Sequence, residues 1–206
     1  MYYSKKNYED LKEMIINNPA YIGIIFSNTD NYNDIKYENS LGNNIMHLIS
    51  RYHPVYLYTV FISNSFQPDI EKHFLYLKSN FFGMTWLHTL CMYSIDHYKI
   101  IEDFISHSLM VKQDIIGNTI FHIIARFNPS YILDILKNRN IKYCKYSQTI
   151  NMDILYKKDI LGNTFLHTLC IYHPDIYLDI SNNFENDLKN IKNKFGKKCY
   201  QYINDN

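Results

Sequence analysis

Four histidines recur through this 206-residue chain: His47, His88, His122 and His167. Two of them stand three residues before a cysteine, His88 before Cys91 and His167 before Cys170. Imidazole and thiolate at that spacing can ligate zinc, and a histidine row can carry protons near neutral pH. Zinc requires four ligands in a tetrahedron, and the two His/Cys pairs lie 79 residues apart. Other chemistries leave less trace. The glycines are isolated rather than gathered into a phosphate loop, no G-x-S-x-G or H-E-x-x-H occurs, and the carboxylates are scattered. The expectation is a non-enzymatic protein, with no catalytic residues, no metal and no cofactor.

The histidines belong to a longer pattern. Gly42, Gly83, Gly117, Gly162 and Gly196 follow one another at steps of 41, 34, 45 and 34 residues, and only Gly23 stands outside the series. Two positions after each Gly come Asn44, Thr85, Thr119, Thr164 and Lys198. Five after come the four histidines, then Gln201; eight after come Ser50, Cys91, Ala125 and Cys170; twelve after come Pro54, Ile95, Pro129 and Pro174. The two His/Cys pairs therefore sit two units apart, too far to share one ion.

Each offset has a physical reading. A lone Gly before Thr-x-x-His suits a tight turn that needs positive φ. The Thr or Asn can cap a helix by accepting a backbone N–H bond. Apolar residues follow at helical spacing, the small residue eight positions after Gly allows close helix packing, and Pro fits the first turn of a second helix. The second helices read PVYLYTVFI, IDHYKIIEDFI, PSYILDILKN and PDIYLDISNN. Each unit is thus turn, helix, short loop, helix.

This unit resembles the ankyrin repeat, whose pattern D-x-x-G-x-T-P-L-H-x-A-A is matched by DIIGNTIFHIIA (114–125) and DILGNTFLHTLC (159–170). SNFFGMTWLHTLC (79–91) and ENSLGNNIMHLIS (38–50) are weaker copies, and NKFGKKCYQYI (193–203) reads as a terminal cap with only its first helix. The sequence departs from the family pattern in two respects. Ile45, Trp86, Ile120 and Phe165 replace the Pro after Thr, and His-Pro or Asn-Pro replaces the Gly-His loop. The resemblance implies an all-α fold: an ankyrin-repeat solenoid of stacked helix-turn-helix units with turn/β-finger loops. It implies repeats at about 38–78, 79–112, 113–157 and 158–191, a C-terminal cap over 192–206, and a structural role for the histidines.

The long steps locate two insertions. FQPDIEKHFLYLKS (66–79) could lengthen a second helix or form another, and NIKYCKYSQTINMDILYKK (140–158) predicts a long loop or an extended β-finger. Residues 1–37 predict an N-terminal helical capping segment, with one helix to about Asn18, a break at Pro19 and a second apolar helix. Units one and three share HLISRYHP and HIIARFNP while units two and four share LHTLC-x-Tyr, which suggests a duplicated two-unit module.

In ankyrin proteins the positions flanking the turn and ending the first helix form the concave partner-binding face. Here the residue before Gly is always apolar (Leu41, Phe82, Ile116, Leu161 and Phe195), and the residue ten after is always aromatic (Tyr52, Tyr93, Phe127 and Tyr172). Between them stand Arg51, Met92, Arg126 and Ile171. Apolar and aromatic residues interspersed with Arg have the makeup of a protein-binding surface. The competing reading is that adjacent turn tips cover one another and the row is packing.

Composition bounds the rest. A net charge of +1 argues against nucleic acid as a partner, and the absence of any run of 18 apolar residues argues against a membrane span. Four unframed Cys and no signal-peptide pattern predict reduced thiols and an intracellular, cytoplasmic chain, with the nucleus as a second compartment. Twenty Tyr and 24 Asn fit an AT-rich genome, viral or parasitic, in which case the partner would be a host regulatory protein and the setting host cytoplasm. The short, irregular array also resembles viral I-kappa-B-like inhibitors of Rel/NF-kappa-B transcription factors. A structural or adaptor subunit of a larger assembly is the other reading. Partner identity and oligomeric state are not encoded in the pattern.

Overall fold

The computed structural model describes residues 8–27, 38–62, 79–137 and 152–203. The described chain is helical, and its only strand pairing is two single antiparallel bridges, Ser79 with Thr85 and Lys192 with Lys198. α1 (Tyr8–Asn17) and α2 (Tyr21–Ser27) flank Pro19. Four helix pairs follow: α3 (Ile45–Tyr52) with α4 (Val55–Ile62), α5 (Trp86–Tyr93) with α6 (Ile95–Ile101), α8 (Ile120–Phe127) with α9 (Ser130–Lys137), and α10 (Phe165–Tyr172) with α11 (Pro174–Ile180). Two one-turn helices lie between or after them, α7 (His107–Met110) and α12 (Asn186–Lys189). The chain closes on a 3₁₀ turn, Cys199–Tyr202.

The first helices stack in chain order, α3 on α5, α5 on α8, α8 on α10, and α10 on the terminal 3₁₀ turn. α1 packs on α3 and α2 on α4, so the N-terminal pair takes the place a preceding unit would occupy. The first helices are buried almost all round, as α5 shows from Trp86 to Cys91. The small residues Ser50, Cys91, Ala125 and Cys170 are fully enclosed, because a longer side chain there would hold neighbouring helices apart. Aromatic contacts tie units together, including Phe61 against Trp86 (5.6 Å between centroids) and Phe121 against Phe165 (5.9 Å). The second helices are linked by Tyr98 edge-on to Tyr131 and by Lys99 Nζ, 2.8 Å from Asp134 Oδ2.

The structure corrects the reading of 140–158 in part. Residues 140–151 lie outside the described residues, as does Cys144, but Met152–Tyr156 form a 3₁₀ turn with Ile154 buried. Ile154 stands eight residues before Gly162, as Leu109 stands before Gly117 and Leu188 before Gly196, and all three are buried. As far as residue 151 the predicted long loop or β-finger lies outside the described residues, while Met152–Tyr156 are the unit's own return segment. The short helices α7 and α12 are its counterparts, and four residues of helix are too few for periodicity to reveal. The helix after Gly196 is 3₁₀ rather than α. The insertion at 66–79 lies outside the described residues except for Ser79.

Candidate interaction surface

Each turn is built in the same way. The five series glycines hold φ between 73° and 85°, a region where a Cβ is strained. Three residues before each stands Asn39, Asn80, Asp114, Asp159 or Asn193, a position that the sequence reading quoted only within the family pattern. Its Oδ1 accepts from the amides two and four residues on; for Asp114 these are Ile116 (3.0 Å) and Asn118 (2.8 Å). The turns then join one another. Phe81 N donates to Leu41 O, Ile115 N to Phe82 O, Ile160 N to Ile116 O and Lys194 N to Leu161 O, each at 2.9 Å. The residue before Gly is therefore held by its carbonyl while its side chain points outward.

The histidines lock the same turns from beneath. Nε2 of His47, His88, His122 and His167 lies 2.9–3.2 Å from a carbonyl of the next turn: Met84, Asn118, Asn163 and Lys197 respectively. A carbonyl only accepts, so Nε2 carries the proton and Nδ1 is the acceptor. Nδ1 receives the amide of Thr85, Thr119 or Thr164 at 3.2 Å, and the hydroxyl of the same Thr at 2.8–3.0 Å. Each of these Thr closes a capping box with its His. Burial pushes all four imidazoles below their ordinary pKa, His88 to about 4. With both ring nitrogens engaged, these histidines are parts of the scaffold. Among the described residues no three His, Cys, Asp or Glu gather where a metal could sit.

Unit one carries a defect. Asn44 Oδ1 accepts from the amides of Met46 (3.0 Å) and His47 (3.3 Å), and it also lies 2.8 Å from His47 Nδ1. With the His47 proton on Nε2, two acceptors face each other there, and Asn44 Nδ2 is buried without a partner. Turning the amide over would supply the ring but present an NH₂ to the helix amides. A Thr hydroxyl can both accept and donate. Asn44→Thr is therefore expected to stabilise the protein by about 1–2 kcal/mol. The thermal midpoint, followed by circular dichroism, should rise by a few degrees; an unchanged or lower midpoint contradicts this account of the pairing.

The surface row comes next. Leu41, Phe82, Ile116 and Leu161 are each 45–46% exposed, and Tyr52, Tyr93, Phe127 and Tyr172 are exposed to a similar degree. Stacked turn tips thus cover about half of each side chain and leave the rest to solvent. Phe81, Ile115 and Ile160, one position earlier, are more exposed still, at 70%, 61% and 53%. They were not singled out from sequence, although the doublets Phe81-Phe82, Ile115-Ile116 and Ile160-Leu161 were a signal for them.

The position nine after Gly alternates. Met92 and Ile171 are half-buried, whereas Arg51 and Arg126 are exposed. Arg51 lies over Tyr52 (5.5 Å from the guanidinium carbon to the ring centroid) and over Tyr93 of the next unit (4.8 Å). Arg126 lies likewise over Phe127 (5.1 Å) and Tyr172 (4.6 Å). Each Arg bridges the aromatic of its own unit to that of the next, which gives the two-unit alternation in the sequence a structural counterpart.

A groove of about 280 Å³ opens where this face meets α1. It brings together Leu41, Arg51, Tyr52, Met92 and Tyr93 of the predicted residues, with Tyr8 and Lys12 from α1, which were not predicted. Ile116, Arg126, Phe127, Leu161, Ile171 and Tyr172 belong to the equivalent region of units three and four, and Phe82 lies outside the groove's lining.

No family model matches the chain, and no curated protein matches it. Solved structures do. One is a chain of the complex described as the Bd0816 predatory endopeptidase from Bdellovibrio bacteriovorus with immunity protein Bd3460. It is similar at a TM-score of 0.57 over 97% of this chain and 93% of that chain, with 18% identity. At that identity the likeness is one of fold. Among the described residues no helix is long and apolar enough to cross a membrane.

Proposed function

We propose that the chain is a non-enzymatic binding module of ankyrin-type repeats, holding a partner protein on the face made by its turn tips and first helices. The observation that carries this reading is the continuous exposed row Phe81-Phe82, Ile115-Ile116 and Ile160-Leu161 beside the aromatics Tyr93, Phe127 and Tyr172. Water penalises so much ordered apolar surface, and a partner would relieve that penalty. The hydrogen bonds between turns support the same reading, because they preorganise the row and lower the ordering cost of association. The similar solved structure is, by its description, that of two proteins in complex, which agrees with such a role without naming a partner for this chain.

The test is affinity capture with mass spectrometry. The native chain is compared with a variant carrying Ile116→Asp, Phe127→Ser and Leu161→Asp, both first shown to have the same circular dichroism. The captured protein should bind the variant at least about 100-fold more weakly. Equal affinity for both chains would mean that the row is packing and not recognition.

A further inference from the structure

The groove at the α1 end of this face carries a charge that no described carboxylate pairs with. Arg51 is exposed, and among the described residues it makes no ion pair; its faces rest on Tyr52 and Tyr93. The other cation of the lining, Lys12, is already tied to Glu9, 2.9 Å away. Among the described residues no Asp or Glu lines the groove.

The turns that border it sharpen the point. Asn39, Asn43 and Asn80 stand where units three and four have Asp114, Asn118 and Asp159. Arg126 is therefore set by turns whose residues three before Gly are Asp114 and Asp159, and Arg51 by turns that have Asn39 and Asn80 there, with Glu38 one residue before Asn39 as the nearest carboxylate of the first turn. The Asn side chains are also occupied. Asn39 Oδ1 and Asn80 Oδ1 each hold two amides of their own turns, and Asn80 Nδ2 donates to Asn43 Oδ1 at 2.9 Å. Arg51 is left as the polar anchor, with Leu48, Met84 and Met92 as an apolar floor beside it.

A guanidinium whose faces are stacked on aromatic rings still presents its N–H edge, and that edge matches a carboxylate. A volume of about 280 Å³ is at the small end for a drug-sized ligand or cofactor and suits a pair of adjacent side chains. We infer that the groove recognises an acidic side chain and the apolar one next to it at a bend in a segment of the partner protein. Arg51 takes the carboxylate, and the wall formed by Leu48, Met84, Met92 and Tyr93 takes the apolar group. This rests on the binding role proposed above and specifies what one end of the face selects.

The experiment is a two-dimensional NMR titration of the isotope-labelled full chain with N-acetyl-Asp-Leu-N-methylamide, with the Asn-Leu compound as its uncharged counterpart. Saturable shifts are expected at Leu48, Arg51, Met84 and Tyr93, with a dissociation constant in the millimolar range that suits so small a ligand. The Asn compound should bind about tenfold more weakly. Arg51→Gln should abolish the preference for Asp, and Arg126→Gln should leave it intact; the spectra themselves report whether each variant is folded.

Absence of saturation, equal shifts with the two compounds, an undiminished preference in Arg51→Gln, or shifts centred on Arg126 would each overturn the inference. The two readings fail separately. If the dipeptide does not bind but a captured partner still depends on Ile116 and Leu161, the binding face stands and only its acidic selectivity falls. If the dipeptide binds as expected while capture ignores the apolar row, the groove stands without it.

Discussion

Gly117→Ala is expected to cost about 3–5 kcal/mol, enough to unfold much of the array, whereas Gly196→Ala should cost only about 1 kcal/mol. Both glycines hold a left-handed backbone, with φ at 85° and 75°, so the strain of adding a Cβ is common to both. What differs is the neighbour. A Cβ at Gly117 would lie 2.8 Å from Asp159 Cα and 2.9 Å from Ile160 N, which are backbone atoms that cannot rotate away. Relief would require the two turns to part, breaking the 2.9 Å bond from Ile160 N to Ile116 O and the His122 contact to Asn163 O. At Gly196 nothing lies within 4 Å. Gly83 and Gly162 should behave like Gly117, with contacts of 2.7 Å to Ile115 N and 2.9 Å to Lys194 N. Gly42 should be milder, since its nearest neighbour is the exposed Phe81 ring, at 3.0 Å. Urea unfolding of the five variants tests the order. If Gly117→Ala and Gly196→Ala proved equally harmful, backbone strain alone would govern these positions, and stacking of the turns would contribute little.

Acid should destabilise the protein as soon as pH falls below about 6.5, where an unfolded histidine takes up its proton. His47, His88, His122 and His167 are all held below their ordinary pKa, chiefly by burial. A proton added at Nδ1 would also point at the Thr or Asn amide that now donates to it. For His88 the folded pKa is about 4, against about 6.5 in an unfolded chain. Between those values the unfolded state holds a proton that the folded state does not. This contribution is complete above about pH 6.5 and is lost as pH falls, amounting to about 3 kcal/mol by pH 4. The other three shift in the same direction and add to the slope, each by at most about 1.4 kcal/mol per pH unit.

Urea midpoints measured from pH 7 down to pH 5 should therefore fall steeply. His122→Gln supplies the control. The fifth turn already uses Gln201 at this offset, its Oε1 accepting from Lys198 N at 2.7 Å. This variant should be less stable at pH 7 but lose less on acidification, its slope shallower by up to one proton. A flat profile between pH 7 and 5, or an identical slope in His122→Gln, would argue that these imidazoles are not held neutral.

Much of the scaffold was legible because it is local. A glycine with positive φ, a capping residue two positions on and apolar residues at helical spacing each act within about ten residues, so the turns, the four helix pairs and the break at Pro19 could be read directly. The return segments were not, since α7, α12 and Met152–Tyr156 are single turns held by one buried residue each, Leu109, Leu188 and Ile154. Ile116 and Ile120 likewise look equivalent in sequence, yet one is 45% exposed and the other fully buried.

The sequence by itself therefore determined the unit, its period and the residues that recur in it, because these follow from backbone conformation and short-range hydrogen bonding. Only the stacked structure decided which apolar residues stay in solvent, which nitrogen of each histidine carries the proton, and that Arg51 and Arg126 each bridge the aromatics of two units. Each of those depends on a neighbour in the next unit, such as Met84 for His47, 37 residues away, and Asn163 for His122, 41 residues away. Burial and electrostatic balance are properties of what packs alongside, and the next unit supplies that.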